Sequence, residues 1–199
     1  MFRTLLLIFC LTGSLSAFAQ SHIGLGVGGG LGERTGLRAS FHFEFPLNTY
    51  LSLLPEFNFV QRRNRDLLRQ LLLLNDRDYR QATVNYLSIP ILLKLQLSFK
   101  TLNPYAVIGP ELAYGMNIQT YYVQNNRIFS EDLTFQNSER LDVGINMGLG
   151  LDKTLNRGHK IFLEYRFFLG LWDILSAAEQ ESYNEGSSLV LGFSYRLRL

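Results

Sequence analysis

Apolar and polar residues alternate with a two-residue period along much of the chain, most clearly between residues 140 and 152. The odd positions of that stretch are apolar, and the even positions are glycine, asparagine or charged. This is the period of a β-strand, whose successive side chains point to opposite faces. The period recurs, with some interruptions, at residues 23–31, 37–45, 51–59, 87–97, 108–119, 160–172 and 188–199.

These eight stretches are each about ten residues long, and their number is even, as in the smallest β-barrels of the bacterial outer membrane. No later stretch offers the roughly 20 uninterrupted apolar residues that a membrane-spanning helix needs. The pattern therefore predicts an all-β fold, an eight-stranded antiparallel transmembrane up-and-down β-barrel.

The two faces of the predicted strands differ in composition, and this bears on what surrounds the barrel. A soluble barrel with an apolar interior would show the same alternation. Here the apolar face is nearly free of charge, whereas the other face combines glycine with charges of both signs, which suits a narrow interior where charges neutralise one another. The charges predicted to lie in the barrel interior are Arg38, Glu44, Glu56, Lys94, Glu111, Arg140, Asp142, Glu164, Arg166 and Arg196.

Short connections alternate with long ones. Residues 46–49, 99–103 and 155–158 are short connections, whereas 62–82, 123–138 and 173–185 are long and polar. Outer-membrane barrels have short periplasmic turns and longer external loops, so the alternation predicts that both termini are periplasmic. Residues 32–35 would form one tight external turn.

Several aromatic residues fall near the predicted strand ends. Outer-membrane barrels place aromatic girdles at the lipid headgroups. Chance is an alternative, since aromatic residues make up 13% of the chain. The girdle candidates are Tyr50, Tyr86, Tyr121, Tyr122 and Trp172.

The first nineteen residues have the pattern of a secretory signal peptide. Arg3 is followed by an apolar run at residues 5–11 and by the small-x-small site Ala17-Phe18-Ala19, which predicts cleavage after Ala19. The alternative is an uncleaved anchor, for which the apolar run is short. The chain then divides into a signal peptide, 1–19, and an outer-membrane β-barrel domain, 20–199. Because the one cysteine is Cys10, the mature domain has no thiol chemistry.

Charge excludes one class of partner. The formal net charge is +2, and the basic residues are spread along the chain rather than clustered. We therefore predict no nucleic-acid partner.

Four strand motifs resemble those of a known family. Residues 86–94, YLSIPILLK, and 104–110, PYAVIGP, are similar to consecutive strands of the PorT-like outer-membrane β-barrel proteins common in Bacteroidetes, and 142–150 and 164–167 match in the same order. The chain departs from such barrels at its end, because Leu199 stands where the insertion machinery often reads an aromatic residue. The resemblance implies an outer-membrane location and an eight-stranded barrel, and it transfers no functional residue.

The three histidines offer little chemistry. His22 lies at the predicted mature N-terminus and His159 in a predicted periplasmic turn. His42 has Ser40 and Glu44 two residues away on either side, but residues two apart on a strand are ~6.5 Å apart, too far for a hydrogen-bonded catalytic set without a neighbouring strand. The glycines at 24–30 precede a strand rather than the helix that a phosphate loop requires. We predict no catalytic, cofactor or metal site.

The long segment after the third strand is basic. Leucines at residues 67–74 have rough helical spacing, which indicates a short amphipathic helix outside the membrane. The arginines could contact lipopolysaccharide phosphates, or the loop could simply fold onto the barrel mouth. The possible external contact residues are Arg62, Arg63, Arg65, Arg69, Arg77 and Arg80.

Together these features predict a non-enzymatic outer-membrane barrel with a packed polar interior and any recognition in its external loops. Eight strands leave an interior just wide enough for side chains, which argues against a general diffusion pore. The alternatives are a narrow pore or a component of a secretion or envelope assembly, a lipid-modifying enzyme, and a soluble periplasmic lipid-binding barrel. The expected partners are outer-membrane lipid, lipopolysaccharide, the barrel-insertion machinery and envelope or secretion proteins.

Overall fold

The computed structural model describes residues 21–31, 35–63, 78–99, 102–124, 127–133, 140–171 and 185–197. These residues form strands, and the turns described between them are short. One described turn contains a 3₁₀ segment at Asn156–Gly158. The strands are β1 (His22–Gly30), β2 (Thr35–Pro46), β3 (Leu51–Arg63), β4 (Asp78–Gln96), β5 (Asn103–Gln124), β6 (Arg127–Leu133), β7 (Leu141–Thr154), β8 (Lys160–Gly170) and β9 (Glu185–Arg196).

The strands form one closed antiparallel sheet. Their order is β4-β3-β2-β1-β9-β8-β7-β5-β6, and β4 also pairs with β5. The pairing of β4 with β5 closes a barrel of eight strands, and the ninth strand, β6, is an addition that pairs with the last residues of β5. Pairing of β1 with β9 joins the first described strand to the last. Closure removes free sheet edges from the membrane, where an unpaired backbone group is costly. The predicted eight-stranded antiparallel barrel is confirmed.

Large apolar side chains cover the outside of the barrel and charged side chains fill the inside. Leu25 is 64% exposed and Leu149 is 67% exposed, whereas Glu56 is 2% exposed. This is the reverse of a water-soluble protein, so the outer face is built for lipid. It excludes the soluble barrel with an apolar interior.

The described short turns all lie at one end of the barrel. Turns at residues 47–50 and 155–159 join β2 to β3 and β7 to β8 at the end where β1 begins and β9 ends. At the opposite end the structure corrects two predicted loops, because residues 78–82 belong to β4 and residues 127–133 form β6. Both segments pair with residues 118–124, at the end of β5 that lies opposite the short turns and is called its upper part below. The 22 residues of β5 extend the sheet beyond the other strands at this end. Among the described residues, no helix is long and apolar enough to cross a membrane.

A β-bulge in β5 changes which face its residues occupy. Asn85 pairs with Asn117 and Tyr86 with Gly115, so Met116 has no partner of its own in the β4–β5 ladder. An extra residue of this kind inverts the two-residue alternation beyond it. The strand pattern places Ile118 on the lipid face, and this is wrong, because Ile118 is 6% exposed inside the barrel.

The interior also contains two apolar clusters, so it is not uniformly polar. One cluster joins Val84, Tyr86, Ala113 and Ile118, and the other joins Leu54, Leu92, Tyr105 and Val107. Tyr86 is therefore wrong as a girdle residue, whereas Tyr50 and Tyr121 are exposed near opposite ends of the barrel. The side chain of Tyr122, all of Trp172, the predicted signal peptide and the turn at residues 32–34 lie outside the described residues.

Candidate functional site in the barrel interior

Three ion-pair networks lie one above another inside the barrel. The lower network is at the end where β1 begins and β9 ends, and there Lys94 Nζ lies 3.3 Å from Glu44 Oε2 and 3.1 Å from Asp152 Oδ2. Lys160 Nζ binds the other oxygen of Glu44 at 2.9 Å, and Asn103 donates a 2.9 Å hydrogen bond to Asp152. This network joins β2, β4, β5, β7 and β8, so it links strands on opposite walls.

The middle network is centred on Arg166 of β8. Its Nη2 and Nη1 atoms lie 3.0 and 3.2 Å from the two oxygens of Glu56, and its Nε donates to Glu164 at 2.5 Å. Arg38 Nη2 lies 3.8 Å from Glu56. Bidentate arginine–carboxylate pairs of this kind hold both groups in one geometry.

The upper network is centred on Arg62 of β3. Its guanidinium lies 2.5 Å from Glu111 and 2.9 Å from Asp142, and it stacks 3.6 Å from the ring centroid of Phe168. Asn146 donates a further hydrogen bond to Glu111. The guanidinium is therefore held by carboxylates at its edge and by an aromatic ring on its face.

The charges of the three networks nearly cancel. The described cations are Arg38, Arg62, Lys94, Lys160 and Arg166, and the carboxylates are Glu44, Glu56, Glu111, Asp142, Asp152 and Glu164. A buried charge is tolerated when it is paired and hydrogen-bonded. The networks therefore close the interior with matched side chains.

Eight of the ten predicted interior charges are buried in these networks. Two lie elsewhere. Arg140 donates at 2.9 Å to the hydroxyl of Tyr114, whose ring is on the outer face, so its place in the interior is a wrong prediction. Arg196 is half-buried at the mouth of the barrel, where its side chain lies against Gly158 rather than in a network. Both residues lie at strand ends, where alternation no longer restricts the direction of a side chain.

Three network residues are absent from the predicted interior charges, namely Arg62, Asp152 and Lys160. The prediction that Arg62 belongs to the external contact loop is wrong, because β3 continues through Arg63 and carries Arg62 inward at 1% exposure. The two-residue alternation could have placed Arg62 inside, because Arg62 stands on the same face of β3 as Glu56 and Asn58. Asp152 and Lys160 also stand on the polar face of their strands.

The rest of the predicted contact loop is only partly described. Arg63 is exposed at the end of β3. Arg80 falls within β4, and its side chain lies outside the described residues, as do Arg65, Arg69, Arg77 and the predicted helix at residues 67–74.

The structure does not assemble the Ser40, His42 and Glu44 set. Ser40 donates to the Gly26 carbonyl at 3.3 Å, and Glu44 binds the two lysines of the lower network. His42 Nε2 lies instead 3.0 Å from Ser194 Oγ, and both residues are buried. The cavity beside them measures about 20 Å³, room for about one water molecule. A Ser–His pair is therefore present, beside a cavity that is smaller than a lipid or a peptide.

The other two histidines contact residues at the lower end of the barrel, where β1 begins and β9 ends. His22 Nε2 lies 3.0 Å from the Gly158 carbonyl oxygen, and His159 stacks on Tyr195 with ring centroids 4.5 Å apart. Among the described residues, no three His, Cys, Asp or Glu side chains are grouped in a way that could hold a metal ion.

A family model described as "Outer membrane protein beta-barrel domain" matches residues 18–176. No curated protein matches the chain. Among solved structures, the N-terminal β-barrel domain of Pseudomonas aeruginosa OprF is 12% identical, with a TM-score of 0.45 over 89% of this chain and 98% of that one. Neisserial surface protein A is 11% identical, with a TM-score of 0.42 over 90% and 95%. The outer membrane enzyme PagL is 11% identical, with a TM-score of 0.47 over 88% and 99%.

Proposed function

The chain belongs to the outer membrane protein beta-barrel domain family, and from this premise we propose that it is a non-enzymatic, non-conducting barrel with its recognition in the external loops. Its location is the outer membrane. The interior then serves stability, because paired charges and apolar clusters hold the walls together. Lipopolysaccharide and envelope or secretion proteins are the partners proposed for the external side.

The closed interior is the observation that supports this function. Arg62, Arg166 and Lys94 each bind carboxylates across the barrel at successive heights. The cavity between the middle and lower networks has room for about one water molecule. A hydrated ion would have to separate several buried pairs to pass, and a lipid substrate would find no entrance to His42.

The proposal also covers export and assembly. We propose that residues 1–19 are removed as a signal peptide and that the insertion machinery assembles the barrel from Gln20 onward. Intact mass of the protein from outer membranes tests this, because cleavage after Ala19 gives a chain that begins at Gln20.

The PorT-like resemblance is proposed as the finer family assignment.

Planar-bilayer recording of the reconstituted full-length barrel tests the non-conducting state. We expect no stepwise current in concentrated potassium chloride, because the ion pairs of the interior remain closed. Heat-modifiable migration on a gel, run on the same preparation, verifies that the inserted protein is folded. Reproducible channel openings from folded protein would contradict the proposal and favour a narrow pore.

A further inference from the structure

The outer wall of the barrel has an apolar groove on β4, β5, β7 and β8. One row of paired residues crosses the wall at this level, and Leu95, Ala106, Leu149 and Tyr165 are its members. Ala106 is the small residue of the row, and backbone at Gly148 contributes to the lining, so large neighbours stand around a depression of about 710 Å³. Ligand pockets have volumes of about 300–1,000 Å³ and mainly apolar linings, so the groove has the size of a binding site.

The groove lies at the depth of the periplasmic acyl chains. Leu149 precedes Lys153 by four residues on β7, which is ~13 Å along a strand and ~10 Å in depth for a strand tilted by roughly 40°. Half of the hydrocarbon core is about 15 Å thick. An acyl chain in the groove therefore belongs to a lipid whose headgroup lies at the rim where β1 begins and β9 ends.

That rim is basic directly below the groove. Lys153 and Arg157 are exposed on the β7–β8 hairpin, whose strands also form one wall of the groove. Residues 153–160 include no acidic side chain, and the nearest, Asp152, is buried with Lys94. The sequence segments 46–50 and 97–102, between β2 and β3 and between β4 and β5, also contain no aspartate or glutamate. The charge below the groove therefore complements an anionic headgroup.

We propose that this groove, with Lys153 and Arg157, binds an anionic glycerophospholipid of the periplasmic leaflet. One acyl chain fills the depression at Ala106, and the headgroup phosphate meets the two cations. A phospholipid fits better than a second barrel, because two convex walls touch along a ridge whereas a flexible chain follows a depression. The proposal rests on the membrane location and does not depend on whether the interior conducts.

Native mass spectrometry of the purified barrel in micelles with equal phosphatidylglycerol and phosphatidylcholine tests the proposal. We expect the full-length protein to retain more phosphatidylglycerol than phosphatidylcholine. Lys153→Gln and Arg157→Gln should each lower that preference about fivefold, the factor that one juxtamembrane cation contributes at a lipid surface. Arg63→Gln is the matched control, because Arg63 is an exposed cation at the opposite end of the barrel.

Ala106→Leu tests the acyl site separately, because it fills the depression and should lower retention of both lipids. Ala39→Leu is its control, since Ala39 is also on the outer face, in the row between Val27 and Phe59. Folding of each variant is verified by heat-modifiable migration, and Ala106→Val replaces a variant that does not fold. Equal retention of the two lipids by the unaltered protein, equal effects of Ala106→Leu and Ala39→Leu, retention of lipopolysaccharide alone, or a dimer without lipid would each overturn the proposal.

Discussion

Single side chains inside the barrel are held by partners that are distant in sequence. Arg62 meets Glu111 and Asp142, which are 49 and 80 residues away. Its charge is then compensated by two carboxylates while Phe168 and Tyr86 cover its faces. Removal of such a residue is expected to destabilise the barrel mainly because it leaves its carboxylate partners buried and unpaired, and unpaired buried charges are costly.

Arg62→Met should destabilise the barrel by about 3–5 kcal/mol, because Glu111 and Asp142 lose their shared cation in a buried site. Urea unfolding in lipid vesicles, followed by the loss of heat-modifiable migration, measures the change. Arg63→Met is the control, since Arg63 is exposed and its loss should change the free energy of unfolding by less than about 0.5 kcal/mol. Equal shifts for the two variants would show that the upper network does not stabilise the barrel.

Glycines on the inner face make room for large interior side chains. A Cβ atom added at Gly192 would lie 2.2 Å from the Phe162 ring and 2.5 Å from the Leu25 carbonyl oxygen. At Gly29 it would meet nothing within 4 Å. The glycines at 192 in β9 and at 29 in β1 therefore have different packing requirements.

We expect Gly192→Ala to cost about 1–3 kcal/mol, because the added methyl group overpacks the interior against backbone and an aromatic ring. Gly29→Ala should be neutral or slightly stabilising, since alanine restricts the unfolded chain more than glycine does. Thermal unfolding of both variants in the same detergent provides the comparison. A Gly29→Ala variant as unstable as Gly192→Ala would contradict this explanation.

At the scale of the element, the bulge in β5 shows how one residue changes a strand. Below Met116 the odd residues of β5 from Tyr105 onward point inward, and above it Ile118 and Thr120 do. Local alternation does not reveal the bulge, because a bulge is defined by the pairing of β5 with β4.

Site-directed spin labelling tests the side-chain directions around the bulge. In the cysteine-free chain from Gln20, a nitroxide on Met116→Cys should be readily accessible to oxygen dissolved in lipid, since Met116 is 39% exposed on the outer face. The same label on Ile118→Cys should be shielded, because Ile118 is inside the barrel. The reverse order of accessibility would mean that β5 has no bulge at this position.

At the scale of the whole molecule, the arrangement of turns gives the barrel an orientation. The described short turns and the strand ends nearest both termini lie at one end, while β6 and the upper part of β5 extend from the other. Outer-membrane barrels keep their short turns in the periplasm. The β5–β6 extension should therefore face outward from the cell.

Labelling of intact cells with a membrane-impermeant maleimide tests that orientation. Ser130→Cys, exposed on β6, should react, whereas Asn48→Cys, exposed in the β2–β3 turn, should react only after the outer membrane is permeabilised. Reaction at position 48 but not at 130 would show that the barrel has the opposite orientation. The proposed lipid groove would then lie in the external leaflet.

Most of the strand placement could be predicted because each strand carries its own alternation. Leu87, Ile89 and Leu93 face outward as their pattern indicates, and Leu92 faces inward as one of its interruptions. The candidate site was predicted less completely. Arg62 and Arg140 lie at strand ends, where the extent of pairing, rather than composition, decides whether a side chain points inward.

The sequence by itself determined the number of barrel strands, the face of most residues and the positions of the described short turns, because these depend on a local period and on polarity. Only the tertiary structure decided which charges meet. Lys94 binds Asp152, 58 residues away, because closure of β4 onto β5 and pairing of β5 with β7 bring their side chains to one height. The same closure places Ala106 between Leu95 and Leu149 and so creates the groove, which no single strand contains.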